Sequence, residues 1–256
     1  MADILESLNE KNLIWITMIN NGYLHYTKNF LESMKKSNCS FTLVVYCIDS
    51  DLIQSLKGYD NCVCIDMNVC VKMNLSSDLK SWGDIDYKRI TFAKLDVIKY
   101  TLQNSSATYI GYIDTDIVLF TDPSKLVLDT FAMNTALDMV FQCDENRGTC
   151  SNKHRCCNVC TGVAVFKNSS NLYSLLEYNE SDVYTYPSDQ HYINNSKLCN
   201  SKFVYETISQ LVFLNGYILF QCGSDIPNGA QLIHFNYMIG NEKMFKMRMM
   251  NMWYIE

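Results

Sequence analysis

The sequence predicts an α/β fold with a mostly parallel central sheet flanked by helices. Two observations carry that expectation. Short apolar runs alternate with helix-patterned stretches through the first 120 residues, the trace that strand–helix–strand crossovers leave in a chain. No internal repeat, low-complexity stretch or Pro/Gly-rich linker interrupts the 256 residues. With 48% hydrophobic and 19% charged residues there is enough apolar material for one core without disulfides or metals to staple it.

Residues 13–19 read as a buried strand, and 23–36 as a helix with Leu24, Phe30, Leu31 and Met34 at helical spacing. Residues 41–47 form a second strand rich in Val and aromatics. Asp49-Ser50-Asp51 reads as a helix start, where acids are favoured. Residues 62–65 are a short third strand, 89–102 a helix and 107–113 a fourth strand. Ligands of such sheets bind beyond the carboxyl ends of the strands. The ends to inspect are therefore residues 19–22, 47–49 and 114–116. In the second half, 138–142 and 162–166 read as strands, and 170–178 and 189–195 as helices. Residues 211–214, 217–221 and 231–234 read as short strands, and 241–253 as a closing helix.

The charge excludes one class of partner. With 21 basic and 27 acidic residues the net charge is −6, and the only basic run lies between Lys243 and Arg248. Nucleic-acid binding needs clustered Lys and Arg and is set aside. The acidic start, Met-Ala-Asp-Ile-Leu-Glu, lacks the basic flank and apolar stretch of a signal peptide, and no run approaches the ~20 apolar residues of a membrane span. The expectation is a soluble, cytoplasmic chain. Abundant Asn, Lys, Ile and Tyr with few Arg suggest an AT-rich genome, such as that of a large DNA virus.

The strongest chemical signal is Tyr-Ile-Gly-Tyr-Ile-Asp-Thr-Asp-Ile-Val-Leu-Phe, residues 109–120. An apolar strand runs directly into Asp114-Thr115-Asp116, placing two carboxylates one residue apart at the ligand edge. Hard divalent cations prefer such oxygen ligands and share them with substrate phosphates. The bland alternative is a solvated strand-end turn, since Asp is common in turns.

Together with the motifs C-terminal to it, this segment resembles the nucleotide-diphospho-sugar transferases of the GT-A fold. The Asp-Thr-Asp falls about 100 residues in, after the alternating units, and is followed by Asp122-Pro123. Next come a Thr161-Gly162-Val-Ala-Val-Phe strand, an Asp189-Gln190 pair with Asn194, and Ile233-His234-Phe235-Asn236 with Gly240 and Lys243 beyond. Each feature is weak alone; the ordered set spans residues 13–248.

The resemblance implies a single GT-A type, Rossmann-like domain over 1–256, with a nucleotide-binding half (1–120) and an acceptor-binding half (121–256). It implies a metal-dependent glycosyltransferase, retaining, moving a hexosyl or pentosyl unit from a nucleotide-sugar, UDP-linked by preference, to a hydroxyl of a glycan, protein or small molecule. Asp114, Asp116 and His234 would hold Mn²⁺ or Mg²⁺. Asn20, Asn21, Tyr23, Lys94, Asp114, Thr115, Asp116, Gly240 and Lys243 would hold the nucleotide-sugar, with Lys246 a further candidate for the diphosphate. Asp189 and Gln190 would line the sugar-acceptor pocket as the catalytic pair. Lys88 and Arg89 compete with Lys94 for its place. His234 has a core-histidine alternative, Asp189 a helix-cap alternative, and Lys243 a solvated-face alternative.

Two rival functions come from other classes. Asp114-Thr-Asp also fits the haloacid-dehalogenase-like phosphatases, with Asp114 as nucleophile, although that motif ordinarily stands near the start of its core. A non-catalytic sugar-binding module could keep the fold without turnover. Of 12 cysteines, Cys143, Cys150, Cys156, Cys157 and Cys160 crowd one stretch with His154. Free thiols are the expected state, with a local disulfide or a zinc site as alternatives.

Overall fold

The structure is a computed structural model and describes residues 12–71, 75–145, 158–199 and 202–256. Its frame is a seven-stranded sheet of β1 (Leu13–Ile19), β2 (Leu43–Cys47), β3 (Cys62–Asp66), β4 (Tyr109–Ile113), β6 (Met139–Cys143), β7 (Val159–Lys167) and β8 (Tyr205–Ile208), in the order β3-β2-β1-β4-β7-β6-β8. Neighbours pair in parallel except β7, which runs antiparallel to both β4 and β6. A second sheet sets β5 (Ile117–Leu119) antiparallel and β9 (Phe213–Asn215) parallel to a central β10 (Leu232–His234).

Central strands are buried on both faces, as parallel strands covered by crossover helices must be. Every residue of β1 is buried. Its alternate side chains feed two cores: Ile14, Ile16 and Met18 pack under helix α3 (Ile85–Asn104), while Leu13, Trp15 and Ile19 pack under α1 (Leu24–Lys36) and α2 (Asp51–Leu56). Helix α4 (Ser124–Met133) joins the second core through Val127 and Phe131. Short helices α5 (Tyr173–Leu176), α6 (Glu180–Thr185) and α7 (Asp189–Tyr192) lie on the α3 side, and α8 (Asn241–Met249) closes the small sheet through Met247.

Several elements depart from the expected pattern. Residues 217–221 form a π-helical turn, not a strand: the apolar run is too short for periodicity to decide, and the Asn215 side chain accepts the Ile218 N–H at 3.0 Å, which starts a turn. Residues 189–195 are helical as expected, α-helical to Tyr192 and π-helical from there through Ile193–Leu198. Strands β5 and β8 and helices α4 and α6 add to the elements anticipated. No helix among the described residues is long and apolar enough to cross a membrane. Cys143 is disulfide-bonded, which the free-thiol expectation did not include. Cys160 is a free thiol, whereas Cys150, His154, Cys156 and Cys157 lie outside the described residues.

Candidate active site

The parallel strands deliver their carboxyl ends to one edge. After β1, the Asn20 amide donates to the carbonyls of Ser76 (3.0 Å) and Asp78 (2.8 Å). Gly22 donates its N–H to Ser77 O, and a Cβ on Gly22 would meet Leu79 N at 2.2 Å. Residues 75–80 are thus strapped against the end of β1 at a contact only glycine allows. After β2, Asp49 accepts the Asn21 backbone N–H at 2.8 Å and the Ser77 hydroxyl. A cavity of about 260 Å³ opens beside it at the ends of β2 and β3, lined by Ile48, Asp49, Met67, Asn68 and Ser77.

After β4 the chain passes through Asp114-Thr115-Asp116 into β5, and the topology explains what these residues face. Strand β5 pairs with β10 so that Ile117 stands opposite His234, and the Phe235 N–H bonds to Asp116 O at 2.9 Å. His234 is thereby brought beside residues some 120 positions earlier. Its Nε2 lies 3.2 Å from Asp116 Oδ1 and 3.7 Å from Asp114 Oδ2. Ligand atoms of Asp114, Asp116 and His234 lie within 4.8 Å of one another, a metal-holding arrangement that no other described His, Cys, Asp or Glu group repeats. Gly162 closes the back. Its carbonyl accepts the Asp114 N–H at 2.7 Å, and a Cβ there would lie 2.4 Å from both Asp114 Oδ2 and His234 Cε1.

Two lysines balance the carboxylates. Lys94 reaches Asp189 Oδ2 at 3.3 Å and Asp114 Oδ1 at 3.6 Å, and lies over the Tyr112 ring. Its rivals point elsewhere, Lys88 to Tyr184 O and Arg89 to Asp86 and Tyr184. Lys243, from α8, pairs with Asp116 Oδ2. Burial alone would raise Asp116, but Lys243 and His234 outweigh it and hold the carboxyl well below the usual range. Burial would likewise lower His234 and Lys94. For His234 the Asp116 carboxylate, and for Lys94 the Asp114 and Asp189 carboxylates, overcome it and raise both above their ordinary values. Asp114 is shifted upward, by burial first.

The remaining expected residues surround this cluster. Thr115 receives a hydrogen bond from Thr27, the Tyr23 ring lies 5.8 Å from Lys243 Nζ, and Gly240 O accepts the Tyr26 hydroxyl. Ser188, not Asp189, caps α7, so Asp189 is free to turn inward to Lys94. Gln190 turns away from Asp189 and donates to Asp144 Oδ2 at 2.8 Å. Lys246 lies over the Phe220 ring, away from the carboxylates.

Asp144 joins the site without having been among the expected residues. It follows β6, whose direction matches β4, so it reaches the same edge as Asp114. It is 2% exposed and accepts from Gln190, Asn215 (3.0 Å), Asn236 (3.4 Å) and Tyr237 (3.1 Å). Burial raises its carboxyl despite these donors.

The donor set suits a hard divalent cation. Two carboxylates and one imidazole are oxygen-rich, and Asp116 Oδ1 is buried without a well-aligned hydrogen bond of its own.

Comparison with known proteins gives this constellation a family. The model of the nucleotide-diphospho-sugar transferases matches residues 41–250, so the chain belongs to that family and is a glycosyltransferase by class. Three solved structures share the fold: the glycosyltransferase GlyE of Streptococcus pneumoniae TIGR4 (TM-score 0.56, 13% identity, 96% of this chain and 61% of that one); mouse xyloside xylosyltransferase 1 (0.56, 13%, 88% and 98%); and the galactosyltransferase LgtC, crystallised with donor and acceptor sugar analogues (0.55, 12%, 93% and 94%). This chain thus spans about three fifths of GlyE and nearly all of the other two. No curated protein sequence matches it.

Proposed function

We propose that this chain transfers a glycosyl unit from a nucleotide-diphosphate sugar, UDP-linked by preference, to a hydroxyl acceptor with retention of anomeric configuration. One observation carries the reading: three ligand atoms converge at a strand-end edge, flanked by Lys94 and Lys243. A divalent ion held by Asp114, Asp116 and His234 would offset the charge that builds on a departing diphosphate. Lys243 adds a compact positive charge on the same side. The cavity beside Asp49 suits a nucleoside, with Asn21 bonded to Asp49 at its edge and Tyr23 by Lys243 on the side of the carboxylates. Asn20 spends its amide hydrogens on Ser76 and Asp78, leaving a buried Oδ1 without a partner. That acceptor suits a base offering an imide N–H, as uracil does.

Asp189 and Gln190 are assigned to the sugar-acceptor pocket, and Asp144 joins them. Its four donors are the kind of polar cluster that reads sugar hydroxyls. Retention is favoured because Asp189, the carboxylate beside Asp114 and Lys94, is engaged by the Lys94 ammonium and so poorly placed to take an acceptor proton. That proton then passes to the leaving phosphate on the same face. Family membership leaves the phosphatase reading without support.

The test is thermal melting with UDP-, GDP- and CMP-sugars, each with and without Mn²⁺. Ligands that bind only the native state raise the melting temperature by mass action. A rise that needs one nucleotide-sugar together with Mn²⁺, and is lost in Asp116→Ala, supports the proposal and names the base. Full metal-dependent transfer by Asp114→Ala would remove its basis.

A further inference from the structure

We propose that Gln142 is a positioning residue that fixes which nitrogen of His234 faces the metal site. This role rests on the proposed metal site and extends it to a residue outside the ligand triad.

Strand register creates the contact. Strands β6 and β7 pair Phe141 with Ala164, but the next pair is Gln142 with Cys160. Regular continuation would have set Gln142 opposite Val163. Residues Thr161, Gly162 and Val163 are therefore extra on β7, an irregularity of the kind that re-aims side chains beside sites. It has two consequences at the same spot. Gly162 is pushed against Asp114 and His234, and Gln142 and Cys160 are brought face to face beneath the imidazole.

Gln142 is fully buried, and its orientation is decided by what its nitrogen does. Nε2 donates to Phe213 O at 3.1 Å and to Leu214 O at 3.2 Å. Both amide hydrogens are used, and a flipped amide would set its oxygen against two carbonyls. Oε1 is therefore an acceptor, and it lies 2.9 Å from His234 Nδ1. An acceptor requires Nδ1 to carry a hydrogen. The Cys160 sulfur, which already accepts from Gly162 N–H at 3.4 Å, lies 3.6 Å from the same nitrogen. A neutral His234 is thus held in the tautomer whose Nε2 lone pair points at Asp114 and Asp116. Ligating histidines are ordinarily oriented by such a partner on the other ring nitrogen. Because Gln142 is anchored to β9, the same contact ties the ring to the junction of the two sheets.

The test titrates Mn²⁺ alone, followed by the electron paramagnetic resonance signal of the free ion, at a pH near 8. Gln142→Met keeps the shape and removes the acceptor; the dissociation constant should rise about 10–100-fold. Gln142→Glu, as a buried carboxyl protonated on the oxygen that faces Phe213 O and Leu214 O, keeps an acceptor for Nδ1 and one donor to β9, and should stay within a few-fold of the wild type. In a His234→Ala background, Gln142→Met should cost no further affinity. Wild-type affinity in Gln142→Met, equal damage in the Glu and Met variants, or the same loss with and without His234 would each overturn the assignment. A wild-type protein that binds no Mn²⁺ would overturn the metal-site reading, and this inference with it.

Discussion

Gly162→Ala tests the site where one added methyl would meet two proposed ligands at once. The added methyl would sit 2.4 Å from Asp114 Oδ2 and from His234 Cε1. A carbon–oxygen contact needs about 3.3 Å, so something must yield by roughly 0.9 Å. The strand cannot retreat freely, because Gly162 O holds the Asp114 N–H and the next residue, Val163, pairs with Ile113 of β4. The carboxylate and the imidazole move instead, and both are proposed ligands. Displacements of ~1 Å at a reacting centre cost about a hundredfold in rate, and overpacking costs about 1–3 kcal/mol in stability. The assay is Mn²⁺-dependent consumption of the donor, with Mn²⁺ affinity measured separately. We expect turnover to fall about a hundredfold and affinity to weaken in a protein that still melts cooperatively. Unchanged turnover and unchanged Mn²⁺ affinity would sink this account of the site, since the methyl has no other place to go.

Other perturbations have equally definite outcomes. Lys94→Met leaves Asp114 and the buried Asp189 without their shared cation. Removing one partner of a buried pair costs about 3–5 kcal/mol, or roughly 10 °C in Tm for a chain of this size, read by calorimetry; an unchanged Tm would show that the ion pairs are idle. Gly22→Ala drives a methyl into the Leu79 backbone, so residues 75–80 must lift; nucleotide affinity should fall, and protease cleavage in that stretch should quicken. His234 gives a signed pH effect. Its folded value is raised above the ordinary 6.5 by Asp116. Its protonated form therefore stabilises the metal-free protein fully below the unfolded value, and that contribution is lost as pH rises through the folded value. Metal must displace that proton, so Mn²⁺ affinity should climb with pH, and calorimetry in buffers of different ionisation enthalpy should register proton release.

Much of the fold could be read from the sequence because burial on both faces leaves continuous apolar runs. Strand β1 begins and ends where the run 13–19 does, and β2 to β4 agree within two residues. Residues 217–221 could not be assigned that way, since a run of four apolar residues, 217–220, satisfies a strand and a tight helical turn alike; a side chain from Asn215 decides between them. The choice of Lys94 over Lys88 and Arg89 is a matter of helical phase along α3, which spacing alone does not resolve without knowing which face meets Asp114. Asp144 was legible in principle. It stands at a strand end as Asp114 does, but the rule needs the strand's direction, and β6 is aligned with β4 only through the antiparallel β7 between them. The register slip that presents Gln142 to His234 has no signature in local pattern, because it is a property of two strands together.

The pairing of β5 with β10 sets a condition on when this protein can act. Asp116 meets His234 and Lys243 across separations of more than a hundred residues, so a chain still being synthesised holds two neighbouring carboxylates and nothing to complete them. Contacts this distant form late, after the loops between them have closed. At the proposed site the chemistry would therefore switch on only once β10 and α8 have docked against β5 and Asp116. A partly made or C-terminally trimmed chain should be unable to consume its activated sugar. Activity would then double as a record that these long-range contacts have formed.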